Sequence, residues 1–132
     1  MYLADTNVWL ELLLDQEHSA AVRDLFEKLD PRIVSITELS FYSIGIIMDR
    51  LNQHDAFLDF AHDTIEESGV NLIRVDVEDI ELLVSYIKQF SLDFDDAYQY
   101  TAATKYGLTI ISFDKDFDST ERGRKRPEEI LC

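Results

Sequence analysis

Four short apolar runs punctuate the chain, and residues with helical spacing fill the intervals between them. The runs are Met1–Ala4, Arg32–Ile36, Val70–Val75 and Leu108–Phe113. The last two, VNLIRV and LTIISF, are rich in β-branched residues, whose restricted χ1 suits a pleated strand. Strands separated by helices select βαβ units, because a parallel pairing needs a crossover long enough to hold a helix. The fold expected is therefore α/β, with a mostly parallel sheet and helices on both faces.

The intervals support this. From Thr6, the apolar residues Val8, Trp9, Leu12 and Leu13 recur at helical spacing, and His18–Leu29 carries a stripe of Ala21, Val22, Leu25, Phe26 and Leu29. Asp30-Pro31 stops that helix, since a residue before proline avoids the α region. Glu38–Leu51 is apolar around much of its circumference (Leu39, Phe41, Tyr42, Ile44, Ile46, Ile47, Met48), more than one buried face requires. Ala56–Glu67 reads as a helix closed by Ser68-Gly69, and Val77–Phe90 as one with Ile80, Leu83, Val84 and Ile87 inward. Asp95–Tyr106 is a further helix, ended by Gly107. With only 4 Gly and 2 Pro among 132 residues, connections should be short and residues 1–132 a single domain. From about residue 119 the tail is polar and basic, and it is expected to be solvated and flexible.

The charge limits partners. Against 27 acids stand 12 Lys and Arg, a formal net charge of −15. A sequence-blind nucleic-acid coat or an anionic-membrane binder needs the opposite sign. The single cysteine, Cys132, excludes an internal disulfide framework and a multi-cysteine zinc site. Neither a signal segment nor an apolar run near twenty residues is present, so the chain is expected to be soluble and cytoplasmic.

The acids themselves carry the functional signal. Asp5 follows the first run and Glu38 the second; Asp95-Asp96 opens a helix; Asp114, with Asp116 two residues on, follows the fourth run. In an open parallel sheet the carboxyl ends of the strands share one edge, where ligands bind and helix N-termini point. Each acid also has a plainer use. Asp5 and Asp93 can cap helices, Ser35 and Glu38 are spaced as a capping box, and Asp114 can start a turn. Caps alone, however, do not select strand-end junctions. Converging carboxylates repel unless a cation joins them, and no Lys or Arg accompanies Asp5, Glu38 or Asp96 locally. All-oxygen ligation suits Mg²⁺ or Mn²⁺, and the chemistry such ions serve is phosphodiester hydrolysis.

The segments LADTNVWLELL, SITELSFY and LDFDDAYQYTAATKYGLTIISFDKDFD resemble the PIN domain family, nucleases that include the VapC toxins of bacterial and archaeal toxin–antitoxin pairs. The resemblance runs from Met1 to about Asp118 and implies a three-layer α/β/α sandwich around a mostly parallel sheet of four to five strands. It implies a divalent-metal-dependent endoribonuclease, with Asp5, Glu38, Asp96 and Asp114 as its four acids and Asp95 and Asp116 as extra carboxylates. Asp95 and Asp96 point about 100° apart on a helix; Asp96 directly precedes Ala97, as in the family pattern. Thr6, Asn7 and Ser112 resemble the polar residues that orient the first acid or a water. Hydrolysis leaving a 5′-phosphate and a 3′-hydroxyl, a homodimer, and a small antitoxin partner are implied in the same way.

Other features are weaker. Arg122, Arg124, Lys125 and Arg126 form the only dense basic cluster, a guide for RNA or simply a solvated tail. His18, His54 and His62 have no metal-ligand spacing and suit the surface. Tyr98, Tyr100 and Tyr106 can stack on bases or fill the core. A haloacid-dehalogenase phosphatase wants an Asp where Asn7 stands, and a receiver domain wants a late Lys where the chain has Ser112 and Asp114. The alternatives that stay open are a solitary PIN nuclease in RNA processing and a catalytically silent PIN-like interaction module.

Overall fold

The computed structural model describes residues 1–131, so Cys132 and the reading placed on it lie outside the described residues. Four strands, β1 (Tyr2–Ala4), β2 (Val34–Thr37), β3 (Asn71–Ile73) and β4 (Thr109–Ile111), make one sheet in the order β3-β2-β1-β4. All three pairings are parallel. The helices are α1 (Thr6–Leu13), α2 (Ser19–Lys28), α3 (Glu38–Arg50), α4 (His54–Phe60), α5 (Ile80–Phe90), α6 (Phe94–Tyr106) and α7 (Pro127–Leu131). The architecture is the α/β/α sandwich expected, and none of these helices is long and apolar enough to cross a membrane.

The two-residue period of the strands sorts the core into two layers. Ala4, Val34, Ile36 and Ile111 face one way and pack with Val8 and Trp9 of α1, Val22 and Leu25 of α2, and Ile44 and Met48 of α3. Leu3 and Ile110 face the other way, against Leu83 of α5 and Ala97, Tyr100, Ala102 and Ala103 of α6. Trp9 anchors the first layer: its ring stacks on Phe26 at 4.6 Å, and its Nε1 donates to the Ala4 carbonyl at 3.1 Å. The buried indole thus keeps its one polar atom satisfied.

Several local expectations change. On α5, Leu83 is fully buried and Tyr86, Ile87 and Phe90 pack beside it, whereas Ile80 and Val84 face outward. The packed stripe is rotated toward the ring cluster of Tyr86, Phe90 and Tyr100, whose centroids lie 4.7–5.9 Å apart. The helix expected over Ala56–Glu67 starts earlier, at His54, and its second half widens into a π turn over Ala61–Glu67. There the Ser68 N–H reaches back five residues to the Asp63 carbonyl. Ser35 lies inside β2 and cannot cap α3; Thr37 caps it instead, accepting from the Ser40 N–H at 3.0 Å. Gly107 ends α6 in the left-handed region, at φ 66°. Gly45 marks the closest approach of α3 and α4, since a Cβ there would stand 2.9 Å from the Phe57 ring.

The tail is woven into the body. Lys125 bridges to Ile111 in parallel, adding one rung beside β4, and the α2–α7 contact ties the last helix down. Most important for function is the strand order: β2 and β3 lie on one side of β1 and β4 on the other. Such a reversal opens a crevice at the carboxyl ends of the two strands that flank it. Asp5 leaves β1 there, and Ser112–Asp114 leave β4 there.

Candidate active site

A cleft of about 290 Å³ sits at this reversal, and its lining includes Asp5, Asp95, Asp96 and Asp114. Thr6, Asn7 and Gln99 add polar atoms, while Leu10, Leu39 and Ile47 add an apolar wall. No Lys, Arg or His is among the lining residues.

Asp5 forms the floor. It is buried, and both carboxylate oxygens are held by the protein. Oδ1 accepts from the Thr6 N–H and from Gln99 Nε2, each at 2.9 Å, and Oδ2 accepts from the Ser112 hydroxyl at 2.7 Å. Ser112 Oγ in turn accepts from the Asp114 N–H at 2.9 Å and from Asn7 Nδ2 at 3.3 Å. Asn7 Oδ1 accepts from the Phe113 N–H at 3.3 Å. Asn7 and Ser112 therefore clip the ends of β1 and β4 together around one carboxylate. Burial pushes the Asp5 carboxyl above its ordinary value; hydrogen bonds from Ser112, Gln99 and Thr6 oppose this, and the charge of Asp114 adds to it.

Asp96 stands one step outward on the first turn of α6. Its carboxyl is pushed up to about 7, first by partial burial, then by the charges of Asp114 and Asp5, a hydrogen bond to Asp114, and the charge of Asp116. Burial and neighbouring negative charge both disfavour the ionised form, and in that order. Asp95, its neighbour, also lines the cleft but is exposed. Carboxylate oxygens of Asp93, Asp96 and Asp116 lie within 4.8 Å of one another. Oxygen donors alone, crowded and without a cationic side chain, fit a hard divalent cation.

Glu38 is placed differently. It opens α3 at the carboxyl end of β2, half-buried, but α3 reaches the cleft through Leu39, Ser43 and Ile47. Two residues that the sequence reading passed over stand nearer the first acid. Gln99 contacts Asp5 directly, and Ser40 Oγ lies 2.7 Å from Thr6 Oγ1 and accepts from Gln99 Nε2 at 2.9 Å. Asp93, read as a cap, makes no side-chain capping bond and joins Asp96 and Asp116 instead. The available signal was spacing: Gln99 lies three residues after Asp96, on the same helix face.

The basic cluster does not form one patch. Arg122 donates to Thr104 Oγ1 at 3.1 Å and the Leu108 carbonyl at 3.5 Å, at the sheet edge remote from the acids. Arg124 is almost covered, pairing with Asp118 at 3.0 Å and donating to the Ser112 carbonyl at 3.1 Å. Arg126 pairs with Glu128 and Glu129, and Lys125 is exposed. Of Tyr98, Tyr100 and Tyr106, the first two use their hydroxyls to accept from the Val75 and Arg122 N–H groups, and the third is exposed. All three histidines are exposed.

The sequence matches the PIN domain over residues 2–123. The chain belongs to the PIN domain family. PIN domains are nucleases, so a crevice of carboxylates at the sheet edge agrees with the family. Among solved structures, a sarcin–ricin loop cleaving VapC toxin of Mycobacterium tuberculosis superposes with a TM-score of 0.80 at 19% identity, covering 96% of this chain and 100% of that one. A toxin–antitoxin complex from Klebsiella pneumoniae gives 0.77 at 20% identity, over 96% and 98% of the two chains. FitAcB from Neisseria gonorrhoeae gives 0.77 at 20%, over 97% and 99%. No curated protein matches the chain in sequence. At such identities the superpositions establish the PIN fold, which spans the chain.

Proposed function

We propose that this PIN domain is a divalent-metal-dependent endoribonuclease, the toxin of a toxin–antitoxin pair, acting in the cytoplasm. One observation carries the reading: Asp5, Asp96 and Asp114 converge in the cleft at the strand-order reversal, and no Lys, Arg or His among the described residues lines it. Asp5, Asp96 and Asp114 would hold Mg²⁺ or Mn²⁺, with Asp95, Asp93 and Asp116 adding carboxylates at the mouth. Glu38 contributes negative charge from the same edge of the sheet. A bound ion of this kind supplies Lewis-acid polarisation of the scissile phosphate.

The chain's own residues do the rest. Asn7 and Ser112 fix the Asp5 carboxylate between β1 and β4, so the first acid does not reorganise during turnover. Asp96 must give up the proton that its neighbours otherwise stabilise, which makes loading favour higher pH. Thr6, with its hydroxyl against Ser40, lies beside Asp5 in the cleft lining and is placed to orient an attacking water. The water oxygen bonds to phosphorus and the P–O3′ bond breaks, leaving a 5′-phosphate and a 3′-hydroxyl.

RNA must reach this site past a formal charge of −15, so binding through a restricted patch is favoured over loose backbone contact. Arg122, Lys125 and Arg126 are the exposed members of the tail cluster, and Lys125 and Arg126 would serve such a patch. Tyr42 and Ile46 of α3 are 60% and 53% exposed, which suits a second copy or an antitoxin segment. The Klebsiella pneumoniae toxin–antitoxin complex supports the antitoxin reading by likeness of fold.

Cleavage of total RNA with Mn²⁺ tests the proposal. Wild type should cut at defined positions, and Asp5→Asn and Asp96→Asn should each lose at least about a hundredfold in rate while keeping their far-UV spectra. Intact cleavage in both variants would sink the site assignment.

A further inference from the structure

We infer that Gln99 is a positioning residue whose amide, oriented by Thr37, sets the Asp5 carboxylate for metal binding. This rests on the site reading above and concerns a residue outside the acid set. Gln99 is buried on the third turn-face position after Asp96, and both ends of its amide are committed. Oε1 accepts from the Thr37 hydroxyl at 2.7 Å; Nε2 donates to Asp5 Oδ1 and to Ser40 Oγ, each at 2.9 Å.

The direction of this chain of bonds is not arbitrary. Thr37 caps α3, so its oxygen already accepts the Ser40 N–H at 3.0 Å. Its one hydroxyl proton goes to Gln99 Oε1. That donation favours the NH₂ end at Asp5, and the carboxylate, which only accepts, completes the choice, because a flipped amide would set oxygen against carboxylate. The cap of one helix thereby helps fix the amide of another, and the amide holds one oxygen of the first acid. The Thr6 N–H and Ser112 hydroxyl hold the remaining protein-facing lone pairs. Three of the roughly four lone-pair directions are thereby occupied, which leaves one, on Oδ2. Groups that orient a ligating carboxylate typically change metal affinity by about 10–100-fold when removed.

Calorimetric titration with Mn²⁺, alongside melting in EDTA, tests this. Gln99→Met keeps length and volume but offers no donor, and it should weaken Mn²⁺ binding about tenfold or more. Thr37→Val removes the proton that orients the amide and should weaken binding several-fold, whereas Thr37→Ser restores it and should bind as wild type. A merely structural role would lower the melting temperature in EDTA in proportion to packing and leave the affinity of the folded protein alone. Folded Gln99→Met with Mn²⁺ affinity within twofold of wild type overturns the inference, as does equal affinity in Thr37→Val and Thr37→Ser. Wild type that fails to bind Mn²⁺ overturns the metal reading of the site, and this role with it.

Discussion

The molecule holds two groups of acids that answer the same electrostatic problem differently. At the start of the α5 region, Asp76 and Asp79 share one cation: Lys105 Nζ lies 2.8 Å from the first and 2.7 Å from the second. Asp79 also accepts the Asp76 N–H at 2.9 Å, completing a reciprocal cap. The Lys105 hydrogen bonds hold both carboxyls below their ordinary value, and the same bonds raise Lys105. At the reversal of the sheet, Asp5 and Asp96 are displaced upward instead, Asp96 to about 7. A chain that neutralises one pair with lysine and leaves the other group without a cation has left room for one.

The sign of each effect on stability follows. Asp76 and Asp79 have depressed folded-state values, so they favour the fold above the ordinary carboxylate range, and that support is lost as pH falls through their folded values. Asp96 is the reverse. Its folded value is raised from 3.8 to about 7, so without a cation its contribution declines as pH rises between those limits. A bound divalent ion reverses that penalty, because it replaces the proton.

Supplying the cation covalently should break the contrast with the largest effect. Ser43 lines the cleft, and Ser43→Lys places an ammonium against the acids. In EDTA at pH 8 this variant should melt higher than wild type, and Mn²⁺ binding and cleavage should both be lost; a variant that still binds Mn²⁺ as wild type would remove the contrast. Removing the cation from the other group should do little. Lys105→Met should lower the melting temperature slightly, with the loss shrinking as pH falls through the depressed folded values of Asp76 and Asp79, and leave cleavage unchanged. A large activity loss there would mean the two groups communicate.

The contrast also shows what the sequence made legible. Strand-end acids were visible because β1 and β4 are continuous apolar runs that stop at Asp5 and just before Asp114, and burial of both faces of the sheet demands such runs. Asn7 and Ser112 came from the family resemblance, not from the apolar runs themselves. The Asp76–Asp79 cap was missed because both partners sit before a helix whose start was read at Val77, and Lys105 lies 26 residues beyond Asp79. Gln99 was missed for a related reason: a glutamine inside a helix reads as surface until its neighbours Thr37, Ser40 and Asp5 arrive from other elements. The α5 stripe rotated because Tyr86 and Phe90 meet Tyr100 across the helix pair, a tertiary choice that spacing on one helix cannot encode. Arg122 and Arg124 looked like a patch in one dimension; tertiary contacts with Thr104, Leu108, Asp118 and Ser112 divide them.

If the carboxylates at the sheet reversal are assembled for a cation and hold a proton in its absence, metal binding must release that proton. Mn²⁺ calorimetry in two buffers of different ionisation enthalpy counts the protons released on binding. Release should approach about one proton per ion at pH 6 and fall toward zero at pH 8, with no such change in Asp96→Asn. Binding at pH 6 without proton release, or no binding by wild type at either pH, would contradict it.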